Sequence, residues 1–146
     1  MTTPFLRSVL TALACTAVFA FAAPALAESV NFKADMKAST EVPPTTSKGS
    51  GAVTATFDTA SKTLAWKGNY SDLSGPATAA HFHAGEVGKN GGVAIPIFSG
   101  AAAKSPFEGT AVLTEAQASD LMAGKWYVNI HTEANKAGEI RGQVVK

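Results

Sequence analysis

The feature that most constrains this chain is a two-residue alternation of apolar and polar side chains. Val53, Ala55 and Phe57 alternate with Thr54, Thr56 and Asp58, and Leu64, Trp66 and Tyr70 fall on one parity of residues 63–70. A strand sends successive side chains to opposite faces, so this pattern predicts strands with one buried face. Asp58-Thr59-Ala60-Ser61-Lys62 reads as the hairpin loop between them. Further strands are expected at 30–37, 78–83, 93–98, 109–113, 126–131 and 139–145, separated by Gly, Pro, Asn and Ser clusters. About eight short strands predict an all-β fold, a single antiparallel β-sandwich or barrel of Greek-key type. One short helix interrupts it: Thr114 and Gln117 form a capping box, Leu121 and Met122 offer an apolar face, and Gly124 ends it. It reads as a connector. Residues 43–51, from Pro43 to Gly51, read as an exposed loop.

The first 27 residues have another character. Arg7 is the only charge before Glu28, residues 8–23 are apolar, and Ala25-Leu26-Ala27 is a small-residue cleavage signal. This is the pattern of a secretory signal peptide cut after Ala27, leaving one domain over residues 28–146. An uncleaved anchor and lipid attachment at Cys15 are the competing readings. Cleavage removes Cys15, the single cysteine, so the exported domain holds without a disulfide. Export places it in the periplasm or the medium.

The chain carries 12 Lys+Arg against 11 Asp+Glu. That balance gives no footprint for nucleic acid, or for a membrane once the signal is removed. There is no G-x-S-x-G and no Walker glycine pattern. Gly88-Lys89-Asn90-Gly91-Gly92 opens no helix and reads as a flexible turn.

Three histidines carry the chemical signal. His81-Phe82-His83 lies on an expected strand, where period two puts both imidazoles on one face. In Trp126–His131 the apolar parity is Trp126, Val128 and Ile130, so His131 lies on the other face with Tyr127 and Asn129. If the two strands are neighbours, all three imidazoles can meet. Three imidazoles suit Cu, Zn, Fe or Ni, and the absence of a mature cysteine excludes thiolate sites. Glu86, Glu133 and Glu139 are near in sequence, each able to orient an imidazole or to ligate.

Four segments resemble the CHRD domain, first described in chordin: Ala38-Ser39-Thr40-Glu41-Val42-Pro43-Pro44, Ala80-His81-Phe82-His83-Ala84-Gly85, Trp126-Tyr127-Val128-Asn129-Ile130-His131-Thr132 and Gly138-Glu139-Ile140-Arg141-Gly142-Gln143. The resemblance implies a β-sandwich whose role in microbes is largely unassigned. A looser likeness is to copper/zinc superoxide dismutases, whose copper set His81, His83 and His131 match in type and order. The bridging histidine, zinc-loop ligands and disulfide cysteines of those enzymes are missing. By that likeness Arg141 would be the anion-guiding, catalytic arginine, and the match around it is inexact.

The expected function is therefore binding of one metal ion, copper with zinc as the alternative, through His81, His83 and His131, with superoxide dismutase-like redox activity on a small anion. Two other readings stay open. One is a non-enzymatic interaction or matrix domain with structural histidines, its protein partner unknown. The other is a zinc hydrolase using Glu133 as general base.

Overall fold

In strand β2 (Ser50–Asp58) Val53, Ala55 and Phe57 are buried while Thr54 and Thr56 are exposed, as the alternation dictates. β1 (Ser29–Lys37) buries Phe32, Ala34 and Met36, and β3 (Thr63–Ser71) buries Leu64, Trp66 and Gly68. The three pair antiparallel in one register, with Phe32 opposite Ala55 and Ala55 opposite Trp66. The hairpin loop is fixed by Asp58, whose Oδ1 accepts from Ser61 N at 2.7 Å and Ser61 Oγ at 2.8 Å.

The remaining elements are β4 (Ala77–Ala84), β5 (Val93–Ser99), β6 (Phe107–Val112), helix α1 (Glu115–Met122), β7 (Trp126–Thr132) and β8 (Ile140–Gln143). The computed structural model describes residues 28–100 and 103–146. The apolar leader with Arg7, Cys15 and the expected cleavage point lies outside the described residues. Among those described, no helix is long and apolar enough to cross a membrane.

All eight expected strands are present, antiparallel, in one sheet of order β5-β4-β7-β8-β1-β2-β3-β6. The sheet folds over so that its halves face each other. Trp66 of β3 meets Phe82 of β4 edge-on at 5.4 Å, and Phe82 meets Trp126 of β7 at 5.9 Å. The edge strands β5 and β6 approach through Phe98 and Phe107, 5.3 Å apart, so the sheet is nearly closed. Size is matched across the ladder: a Cβ on Gly109 would lie 2.5 Å from Trp66 Cζ2, so the glycine makes room for the indole.

The capping box of α1 forms as expected. Gln117 N donates to Thr114 Oγ1 at 3.2 Å, and Thr114 N donates to Gln117 Oε1 at 2.9 Å. Ala118 and Leu121 seat the helix on the core, and Gly124 (φ 73°) follows its end. The 43–51 loop is exposed over much of its length but is tied down at Thr45 and Ser47, which donate to Glu139 O at 2.8 Å and Glu139 Oε1 at 2.5 Å.

Candidate metal centre

Strand β7 departs from simple alternation, because it is buried on both faces except at His131. Trp126, Val128 and Ile130 enter the core. Tyr127 and Asn129 point the other way and are covered by the loops 38–49 and 85–92. The face that sequence polarity assigns to solvent is therefore a second buried layer, and the histidines are part of it.

β4 and β7 are ladder neighbours, with His81 opposite Asn129 and His83 opposite Tyr127. That pairing supplies the adjacency the sequence left open. His81, His83 and His131 each present one ring nitrogen so that all three lie within 4.8 Å of one another. His81 Nδ1 is 3.1 Å from His131 Nε2.

Backbone carbonyls fix the rings. His83 Nδ1 lies 3.0 Å from Gly91 O, and His131 Nδ1 lies 2.9 Å from Lys136 O. A carbonyl only accepts, so both Nδ1 atoms carry the proton and both Nε2 atoms are left as acceptors. His81 Nδ1–H then donates to His131 Nε2. His83 Nε2 is buried and has no hydrogen-bond partner among the described residues. Burial pushes all three imidazoles below their usual range, with the neighbouring rings adding to the effect at His81 and His83. The cluster is thus neutral near pH 7 and rich in lone pairs, the state that binds a cation.

A stack braces the site. The Tyr127 ring lies 4.8 Å from His83 with 2° between planes, and the Arg141 guanidinium carbon is 3.4 Å from the Tyr127 centroid. Gly91 N donates to Tyr127 Oη at 3.2 Å. Gly91 has no alternative here, since a Cβ would come within 1.5 Å of Ala84 O. The loop expected to be a flexible turn is pinned, and it delivers the carbonyl that orients His83.

Arg141 is 2% exposed. Its Nη1 donates to Asn90 Oδ1 at 3.1 Å, and Nη2 donates to Lys89 O at 2.7 Å and Glu86 O at 3.3 Å. These bonds spend the guanidinium on holding the 85–91 loop. Glu139, near the histidines in sequence, is not part of the three-histidine cluster. Its fully buried carboxylate accepts from Ser47 Oγ, Ser74 N, Ser74 Oγ, Thr132 Oγ1 and Asn135 Nδ2 at 2.5–3.0 Å. Burial would raise its pKa, but those donors prevail and hold it down to about 2. By fastening Thr132 and Asn135, Glu139 shapes the turn that carries Lys136 O to His131. Glu133 is exposed and pairs with Lys136 at 3.3 Å, and Glu86 meets Arg141 only through its backbone.

Two residues that sequence reasoning missed complete the layer. Asn129 and Glu41 are 2% and 5% exposed and lie side by side over Gly138. Glu41 stands in the first segment that carried the family resemblance; parity placed Asn129 on the histidine face, but nothing local marked it as buried.

No curated protein and no solved structure matches this chain. The family model of the CHRD domain matches residues 32–144, a span that includes every strand from β2 to β8 and all three histidines, and the chain therefore belongs to the CHRD domain family.

Proposed function

We propose that this CHRD domain is exported and binds one metal ion, copper, through His81 Nδ1, His83 Nε2 and His131 Nε2. The observation that carries the reading is the geometry of three neutral imidazoles with one nitrogen each inside 4.8 Å, two of them oriented by backbone carbonyls. Orientation of the far ring nitrogen is how proteins prepare imidazole ligands. Binding there moves the His81 proton from Nδ1 to Nε2 and replaces the His81–His131 hydrogen bond. Copper fits the donor set because three imidazoles satisfy Cu(I), and they leave a position open for Cu(II); zinc is the alternative. A copper ion supplies one-electron redox chemistry, for which superoxide is a suitable small anion. In this reading Arg141 positions the loop that orients His83, and attraction of an anion falls to exposed lysines such as Lys136.

The test is copper and zinc affinity of untagged protein beside a variant with all three histidines changed to Ala. The expected result is tight 1:1 copper binding that the variant loses. Equal weak binding by both would overturn the reading and leave the interaction domain as the function to pursue.

A further inference from the structure

This inference rests on the three-histidine reading and concerns what completes the ligand set. The ladder puts Asn129 directly opposite His81 on one side and Arg141 on the other, with His131 two residues along. Its side chain is therefore on the imidazole face, in the middle of the covered layer. The amide orientation is set from the far side. Asn129 Nδ2 donates to Ala137 O at 3.4 Å and crowds against Glu41 over Gly138, where a Cβ would lie 2.3 Å from Glu41 Oε1 and 2.6 Å from Asn129 Nδ2. Both neighbours accept hydrogen bonds, so the amino group faces them and Oδ1 faces away.

Asn129 Oδ1 is buried and without a partner among the described residues, and so is His83 Nε2. On the ladder Asn129 lies opposite His81 and diagonal to His83, so the two unpartnered atoms belong to one layer. Two lone pairs cannot satisfy each other. A cation satisfies both, and buried orphans of this kind call for such an explanation.

We propose that Asn129 is the fourth residue of the metal centre, its Oδ1 serving the coordination position that the three imidazoles leave open. An amide oxygen is a hard donor. It favours Cu(II) and Zn²⁺ and adds little for Cu(I), which three imidazoles already satisfy. Asn129 thereby sets which ion and which oxidation state the site prefers. Glu41 and Gly138 are positioning residues that keep the amide turned the right way.

The experiment measures Cu(I), Cu(II) and Zn²⁺ affinities of the wild-type protein, Asn129→Ala and Asn129→Asp by competition with chromogenic chelators. Asn129→Ala is expected to lose about tenfold or more for Cu(II) and Zn²⁺ while Cu(I) stays within about threefold. Asn129→Asp, which keeps an oxygen, is expected to retain Cu(II) binding. Equal loss for both oxidation states, or no loss, would overturn the assignment. A wild-type protein that binds none of these ions would remove the histidine reading and this one together. Should Asn129→Ala fail to fold, Zn²⁺ titration of labelled wild-type protein decides: the Asn129 side-chain amide resonances should move with those of the histidines, and their standing still would refute the proposal.

Discussion

The two halves of the sheet use the same alternation to opposite ends. In β1, β2 and β3 one face is core and the other is open: Asn31, Thr54, Thr56, Ala65, Lys67 and Asn69 are exposed. In β4, β7 and β8 the second face is roofed by loops and filled with His83, Tyr127, Asn129 and Arg141. A polar parity can therefore mean either solvent or a covered polar layer. The loops, which lie far off in sequence, decide which. The first half buries an almost wholly apolar face, with Phe32, Ala34, Met36, Val53, Ala55, Phe57, Leu64 and Trp66. The second carries buried polar groups that need partners, and it is there that the lone pairs left without partners gather.

This contrast can be broken in graded steps. Trp66→Ala empties the core beneath the plain half and should cost about 4 kcal/mol, read from urea unfolding without metal. The triple His81/His83/His131→Ala variant should weaken copper at least a hundredfold, about 3 kcal/mol in binding, and, because Gly91 O and Lys136 O lose their donors, should lower metal-free stability at pH 7 by about 2–3 kcal/mol while unfolding stays cooperative. Calorimetric titration and urea melts measure the two quantities, and a collapse of metal-free stability would mean that the histidines are structural.

Arg141→Ala strands the carbonyls of Lys89 and Glu86 and should cost about 2–3 kcal/mol. It should also weaken copper although Arg141 is no ligand, because Gly91 O loses its place. Metal affinity that tracks wild type would separate the 85–91 loop from the site.

Glu139 has a folded pKa near 2, below its usual 4.5. Its contribution is therefore full above pH 4.5 and is lost as pH falls toward 2. Glu139→Gln should be destabilised by about 2 kcal/mol at pH 6, and the gap to wild type should narrow between pH 4.5 and pH 3 in parallel urea melts. The histidines have folded pKa values below 6.5 because burial disfavours their charged form. The unfolded chain binds their protons first, so metal-free stability should fall below pH 6.5 in the wild type and less steeply in the triple variant. Smallest of all, Thr54→Ala on the open face should stay within about 0.5 kcal/mol.

The fold was largely legible because period two is a local signal. It placed β1 to β8, put His81 and His83 together, and put His131 opposite Val128 and Ile130. The ladder that joins β4 to β7 was not legible, since strand pairing is set by packing across the whole sheet. Nor were the carbonyls of Gly91 and Lys136, because every residue has one and type does not mark it. The likeness that suggested an anion role for Arg141 carried no information on its surroundings, which are carbonyl oxygens and the Tyr127 ring. Glu139 was near the histidines in sequence, but it turns toward Ser47, Ser74 and Thr132.

β8 comes late in the chain and lies in the middle of the sheet, between β7 and β1. Lys37 pairs with Arg141, and Thr40 Oγ1 donates to Arg141 O, across about a hundred residues. Loop-closure entropy makes such distant pairing slow relative to the hairpins of β1, β2 and β3. The site should thus be the last part of the molecule to mature. Arg141 arrives with β8, and only then is the Gly91 loop fastened over His83. An emerging chain would hold its histidines apart and bring them into one set on completion, so that, under the proposed metal reading, ion capture would report a finished fold.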